Sequence, residues 1–247
     1  PLEGYNDHQF VFMATANGTV KKTPLMDFSR PRSSGLIAIE LEEGNTLIGA
    51  SVTSGDSNVM LFSSGGRAIR FREQDVRAMG RSARGVRGIK LRDSQQVISL
   101  IIPDADGVLL MASENGYGKR TPVDQFSVIG RGGQGVICMK RSERNGALVG
   151  VTDVGEGFEV ILISDQGTLV RTRVDEVSSQ GRNTQGVRLI NLGEGEALVG
   201  LASFEEPDLD DALLSESDDE PDVEVDQSDV NDSDVNESDL NESEVEE

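Results

Sequence analysis

Lysine and arginine recur in phase along this chain. Lys22, Arg70, Arg120 and Arg171 each stand four residues after a glycine (Gly18, Gly66, Gly116 and Gly167), and Lys21, Arg67, Arg72, Lys119 and Arg173 lie in the same segments. A second set, Arg30, Arg32, Arg81, Arg84, Arg87, Arg131, Arg182 and Arg188, surrounds the glycines Gly35, Gly85, Gly135 and Gly186. Guanidinium and ammonium groups at regular spacing bind regularly spaced anions, and a DNA duplex offers about one charge per 1.7 Å of its axis. Glycines in the same loops let a backbone approach closely. The alternative is that these are ordinary solvated charges balanced by carboxylates, on a scaffold that binds other proteins.

Residue types suited to covalent chemistry do not form a constellation. His8 is the only histidine and stands close to residue 1. Gly130-Arg-Gly-Gly-Gln-Gly135 spells a dinucleotide-binding pattern, but the strand-like Val136-Ile-Cys-Met139 follows it instead of a helix whose N-terminus could hold a pyrophosphate. Tyr117, between two glycines of a turn, reads as a surface contact. Cys138 has no disulfide partner and reads as a small core residue in a reducing cytoplasm.

The elements that position the cations repeat. Val160-Ile-Leu-Ile163 is apolar at every position, which predicts a strand covered on both faces. The turn at Gly167 and the alternation Val170-Arg-Thr-Arg-Val174 then predict a hairpin whose second strand turns its arginines outward. The unit recurs at Phe12–Lys22, Met60–Arg70 and Leu110–Arg120. The turn glycines, the loop glycines and an apolar pair (Leu47-Ile48, Val97-Ile98, Leu148-Val149, Leu198-Val199) share one period of about 50 residues. Each copy reads as strand, turn, basic strand, Arg/Gly loop and two short strands. The fold class is therefore all-β, with propeller-like four-stranded blades at about 9–55, 56–105, 106–156 and 157–204. Glu73–Met79 reads as no more than a turn of helix.

The net charge of −21 is local. Residues 205–247 hold 21 of the 44 acidic residues and no Lys or Arg, so residues 1–204 carry 23 charges of each sign. The tail lacks aromatics and glycine and is expected to be disordered. No run approaches the roughly 18 apolar residues of a membrane span. Residues 1–8 read as the frayed start of an excised domain, because the first residue is Pro1 and the first copy resembles the others.

The segments Phe12-Met-Ala-Thr-Ala-Asn-Gly-Thr-Val-Lys-Lys-Thr23, Val76-Arg-Ala-Met-Gly80, Gly85-Val-Arg-Gly-Ile89, Asn115-Gly-Tyr-Gly-Lys-Arg-Thr121 and Gly167-Thr-Leu-Val-Arg-Thr-Arg173 resemble the C-terminal domain family of bacterial DNA gyrase A. So does Gly181-Arg-Asn-Thr-Gln-Gly-Val187, and the likeness runs through residues 10–204. It implies a β-pinwheel, a propeller whose blades exchange strands with their neighbours and whose basic rim bends and wraps DNA. It implies six blades, of which four are present here, and a first-blade motif Q-R-R-G-G-K-G. The nearest match, Ile129-Gly-Arg-Gly-Gly-Gln-Gly135, shares four of seven positions on a later blade. It also implies a monomeric, cytoplasmic, nucleoid-associated domain without catalysis or cofactor of its own. Its partners would be double-stranded DNA, the rest of the gyrase A protein and the gyrase B protein, with ATP and Mg2+ used elsewhere in the enzyme.

Overall fold

A computed structural model describes residues 4–92 and 94–205; the acidic tail lies outside the described residues from 206 onward. Four repeats follow one another. The first contributes β1 (Phe10–Thr15), β2 (Thr19–Pro24) and β3 (Leu47–Thr53). The second contributes β4 (Asn58–Ser63), β5 (Arg67–Arg72), β6 (Val86–Arg87) and β7 (Val97–Ile101). The third contributes β8 (Val108–Ser113), β9 (Tyr117–Pro122), β10 (Val136–Ile137) and β11 (Leu148–Val154), and the fourth β12 (Phe158–Ser164), β13 (Leu169–Arg173), β14 (Val187–Arg188) and β15 (Leu198–Glu205). The result is all-β and propeller-like, and the helical turn expected at Glu73 is a single 3-10 turn, Glu73–Asp75.

The sheets are not built from single repeats. Their strand orders are β3-β1-β2-β6, β7-β4-β5-β10, β11-β8-β9-β14 and β15-β12-β13. The two-residue strands β6, β10 and β14 each leave their own repeat and pair antiparallel with the basic hairpin strand of the preceding one. Such a pair is too short to hold by itself, and a glycine carbonyl completes it. Gly18 O accepts from the amides of Gly88 and Ile89 (2.8 and 3.2 Å), Gly66 O from Cys138 and Met139 (3.0 and 3.2 Å), and Gly116 O from Leu189 and Ile190 (2.8 and 3.3 Å).

Glycine is required on both sides of these junctions. Gly116 has φ 78°, a left-handed conformation, and a Cβ there would stand 2.6 Å from Ile190 O. Gly186, the loop glycine of the fourth repeat, has φ 80° and would meet Gly118 O at 2.5 Å. The two unmatched halves behave differently. Gly35 and Gly167 also have positive φ, yet a Cβ on either would meet nothing within 4 Å. Ile37, in register with the exchanged strands, is 72% exposed, and Leu169 at the edge of the three-stranded sheet is 63% exposed.

Three cores lie between consecutive sheets. Phe12 and Val20 pack with Leu61 and Ile69; Met60 and Phe62 with Leu109 and Met111; Leu110 and Ala112 with Val160 and Leu162. The first strand of a middle hairpin thus sends alternate side chains into two cores, which is why it is apolar at every position. For β12 the expectation of two covered faces fails: Val160 and Leu162 are buried, but Ile163 is 38% exposed, since no further sheet covers that face among the described residues. Cys138 is fully buried, and burial pushes its thiol up to about 12.

The two classes of turn glycine can be separated by stability. Gly167→Ala should lose about 1–2 kcal/mol through its left-handed backbone alone. Gly116→Ala should lose that and about 1–3 kcal/mol more, because its methyl group overlaps the exchanged chain. Urea denaturation of the two variants would measure the difference, and equal losses would show that the junction does not tighten the array.

Candidate nucleic-acid interface

The cations recurring four residues after each turn glycine are mostly inter-repeat staples. Lys22 Nζ donates to Glu73 O at 3.3 Å and stands 3.9 Å from Glu73 Oε1. Arg70 Nη1 donates to Val123 O and Phe126 O at 3.1 and 3.2 Å. Arg120 donates from Nε to Val177 O (2.6 Å), from Nη2 to Asp175 O (3.2 Å) and from Nη1 to Asp175 Oδ1 (3.3 Å). In each case the acceptors lie in or just after the 3-10 turn of the following repeat, whose carbonyls a cation is suited to satisfy. A parallel bridge beside each staple joins Lys22 to Ala78, Arg70 to Val128 and Arg120 to Ser179. Arg171, in the fourth repeat, instead ion-pairs with Glu159 of its own hairpin, and its guanidinium lies 5.2 Å from the Phe204 ring. The phase that suggested a DNA-facing band thus has a structural cause at three of its four positions.

Lys21 and Lys119 depart further from expectation. Both are 0% exposed. Lys119 Nζ donates to Gly181 O (2.6 Å), Arg182 O (2.6 Å) and Thr184 Oγ1 (3.1 Å), using all three protons of an ammonium on the loop of the next repeat. Lys21 Nζ reaches Ala38 O at 2.6 Å and also Arg81 O. Neither can meet a phosphate while the fold persists. The equivalent positions hold Ile69 and Val170, the one sign in the sequence that this site points inward. Burial lowers both ammoniums from their ordinary value, Lys119 to about 8. Lys22, 6% exposed, is likewise withdrawn from the surface.

The loop arginines form a chain along the repeats. Arg131 donates from Nη1 to Arg87 O and from Nε to Asp75 O, both at 2.9 Å, and Arg182 donates from Nη1 to Ile137 O at 3.2 Å. Arg67 uses Nε and Nη2 on Gln134 O (2.9 Å) and Gly135 O (2.7 Å). Backbone contacts continue the chain, with Gly132 N on Gly88 O, Lys90 N on Gly133 O and Lys140 N on Thr184 O. The Arg/Gly loops of the second, third and fourth repeats are therefore fixed to one another, and Arg67, Arg81, Arg131 and Arg182 are half-buried.

The remaining cations are open to solvent. Arg30, Arg32, Arg84, Arg87, Arg173 and Arg188 are exposed, as is Arg171. Arg84 pairs with Glu40 at 2.8 Å, and both side chains are exposed, so the pair contributes little stability. Exposed Arg77, Lys90, Arg92, Lys140, Arg141 and Arg144 join them, although the reading of the sequence did not single them out. Lys90 and Lys140 had a usable signal, since each stands five residues after its loop glycine.

Tyr117 is a second correction. It is 5% exposed, not a surface contact, and lies between Arg144 and Arg188, whose guanidinium carbons are 4.7 and 5.4 Å from its ring centre. Arg188 Nη2 donates to its hydroxyl at 2.8 Å, and hydrogen bonds from Arg144 and then Arg188 hold the phenol below its ordinary pKa. Gly130–Gly135 runs into β10 without a helix, as expected.

Known proteins share this arrangement. A family model described as the DNA gyrase C-terminal domain, beta-propeller, matches residues 9–54, 57–104, 107–154 and 159–205. The DNA gyrase A protein of Pseudomonas aeruginosa is 64% identical over 198 residues, a stretch that takes in 80% of this chain and 22% of that protein. The DNA gyrase A protein of Escherichia coli K12 is 50% identical over 234 residues, 92% of this chain and 27% of that protein. The chain thus spans about a quarter of the length of these curated relatives. A solved DNA gyrase A C-terminal domain superposes with a TM-score of 0.73 at 29% identity, covering 82% of this chain and 68% of its own. The C-terminal domain of DNA topoisomerase IV gives 0.79 at 22% identity, covering 88% and 69%, a likeness of fold alone.

Staples and exposed cations predict different outcomes. Arg120→Ala leaves the carbonyls of Asp175 and Val177 short of a donor and should lose about 1–3 kcal/mol of stability, whereas Arg87→Ala should stay within about 0.5 kcal/mol. Chemical denaturation distinguishes them, and equal stabilities would remove the staple. Lys119 offers a pH test. Its folded pKa of about 8 lies below the roughly 10.4 of an unfolded lysine, so between those values the unfolded chain holds more protons and stability gains from rising pH. Measured against Lys119→Ile, which carries the residue type of position 69, the protein's melting temperature should rise from pH 8 to pH 10.5. A flat difference would show that the buried ammonium is not destabilised by its surroundings.

Proposed function

The chain belongs to the DNA gyrase C-terminal domain, beta-propeller family, and from that membership we propose that it binds double-stranded DNA along its Arg/Gly loops and bends it. In this reading it is the non-catalytic, DNA-wrapping part of a gyrase A protein. It supports negative supercoiling by an ATP-dependent type IIA topoisomerase whose remaining parts, including the gyrase B protein, carry the chemistry and use ATP and Mg2+. The cytoplasm, where the nucleoid lies, is the compartment that fits this role. The observation that carries the proposal is the chain of loops in the second, third and fourth repeats, each locked to the next by an arginine on a backbone carbonyl while Arg84, Arg87 and Arg188 stay exposed.

Contacts of this kind neutralise phosphates without reading bases, because the cations hold a structural phase and no base-edge pattern. Binding is therefore tolerant of sequence. Bending a short site by 40–90° costs on the order of 1–6 kcal/mol, a range that several charge-assisted contacts per repeat can offset. A fixed array of loops suits this task better than a flexible one, since its cations need no ordering when DNA arrives.

Titration of a random-sequence duplex at several salt concentrations tests the reading. With about 6–10 phosphates engaged, log K should fall against log salt with a slope of roughly −5 to −9. Reversing charge at Arg87 and Arg188 together should flatten that slope by about two units. End-labelled duplex should shorten on binding. Indifference to DNA at low salt would overturn the proposal in favour of a scaffold for proteins.

A further inference from the structure

Tyr117 is the one aromatic residue to follow a turn glycine; the first, second and fourth repeats carry Thr19, Arg67 and Thr168 there. The loop facing it is longer than its equivalents. Glu43, Asp93, Glu143 and Glu194 stand at the same distance after their loop glycines. Three residues then lead to the last strand in the first, second and fourth repeats, but four in the third, Arg144 first among them. The longer loop is held from both sides. Buried Asn145 donates from Nδ2 to Lys140 O (2.9 Å) and, in the fourth repeat, to Gln185 O (3.2 Å), while its Oδ1 accepts from Ser142 N at 2.8 Å. Asn115, just before the turn glycine, donates to Glu143 O (3.0 Å) and Arg144 O (3.2 Å). The backbone of Arg144 is thereby fixed next to the turn that carries Tyr117.

Arg188 reaches the same ring from the fourth repeat. Its strand β14 places it opposite Tyr117, where Nη2 donates to the phenol oxygen at 2.8 Å and Nη1 to Asn191 Oδ1 at 3.1 Å. Arg144 hydrogen-bonds the same oxygen. Two guanidiniums from successive repeats thus meet at one neutral acceptor. Neither ion-pairs with a carboxylate among the described residues, and Glu143, next to Arg144 in the chain, is exposed. Both arginines are exposed although the ring beneath them is only 5% exposed. Their unused N–H groups are therefore open to solvent, since a guanidinium carries five. Donors that share one oxygen stand within about 6 Å of each other, a span that a phosphate accepting at two of its oxygens bridges. A bound anion also relieves the repulsion between the two cations, which a neutral phenol does not.

We propose that Arg144 and Arg188 form a two-guanidinium clamp for a single phosphate, with Tyr117 as the residue that positions both. The phosphate is a backbone phosphate of bound duplex, which makes the junction of the third and fourth repeats a fixed point on the path of the DNA. That source rests on the DNA-binding reading; the chemistry of the clamp does not.

The site carries its own reporter. Tyr5 and Tyr117 are the two tyrosines of the chain, so ring-labelled tyrosine gives two NMR signals that Tyr5→Phe assigns. The full chain is titrated with random-sequence duplex and, separately, with sodium pyrophosphate. The Tyr117 signal should shift saturably with both. No shift with either would overturn the clamp, and a shift with pyrophosphate alone would overturn duplex as the source and assign the clamp to free polyphosphate. Affinity tests the pairing, after thermal melts confirm that the variants fold. Arg144→Gln and Arg188→Gln should each bind duplex about five- to tenfold more weakly near 0.1 M salt, the effect of losing about one phosphate contact. The double variant should fall well short of the product of the two losses, because both remove the same contact. A full product would overturn the clamp and leave two independent charges. Tyr117→Phe keeps the ring and both cations; it should weaken duplex binding about threefold in the wild type and not at all in the double variant, and an equal loss in both would overturn the positioning role. Wild-type indifference to duplex would remove the DNA-binding reading, and the pyrophosphate titration would still decide the clamp.

Discussion

The carbonyl oxygen of a turn glycine, accepting two amide protons from the following repeat, is the contact on which the rest of this structure depends. It ties a two-residue strand to a sheet that the strand's own repeat does not contain. Once that tie is made, the 3-10 turn of the later repeat comes within reach of the cation on the earlier hairpin, and the Arg/Gly loop is drawn across the gap. Only glycine tolerates both the left-handed backbone and the close approach. The accepting glycines and the segments that reach back to them must therefore recur with one shared period.

Much of the fold was legible because its determinants are local. Positive φ at the turns calls for glycine, and two-sided burial calls for apolar residues at successive positions, as Leu109-Leu-Met-Ala112 shows. Strand exchange was not legible from pattern alone, since β6, β10 and β14 are only two residues long and their partners lie in another repeat. The cations were legible in position and misleading in role. Lys22, Arg70 and Arg120 keep one phase because each faces the same kind of carbonyl cluster, and a periodic structural need looks the same in sequence as a periodic ligand. Lys21 and Lys119 are harder still, because an ammonium saturated by backbone oxygens can occupy a place that Ile69 fills elsewhere.

These cations thus fall into three populations distinguished by what answers their charge. Backbone carbonyls and a hydroxyl satisfy Lys21 and Lys119 in the interior. Carbonyls at a turn, with a carboxylate beside them, answer Lys22 and Arg120. Solvent answers Arg30, Arg32, Arg87 and Arg173. Glu73 belongs to the same economy of buried charge: its carboxylate is 0% exposed and accepts from Thr53 Oγ1 (2.6 Å) and from the amides of Gly55 and Ser57 (both 3.1 Å). A formal balance of charge along the repeats says little about the field outside, because the inward cations are matched by oxygens that the sequence does not count.

The junctions all point one way. The second, third and fourth repeats each lend a short strand backward, the first, second and third each receive one from ahead, and each core lies between immediate neighbours. Such an array behaves as a one-dimensional chain of coupled spins, in which each unit's folded state is biased by the unit beside it and not by those farther off. Opening then begins at a boundary and travels as a domain wall. Among the described residues, the three-stranded sheet of the fourth repeat, with one face of β12 uncovered, is the low-energy site for that wall to enter, so amide exchange should be graded along the repeats and not share one global rate.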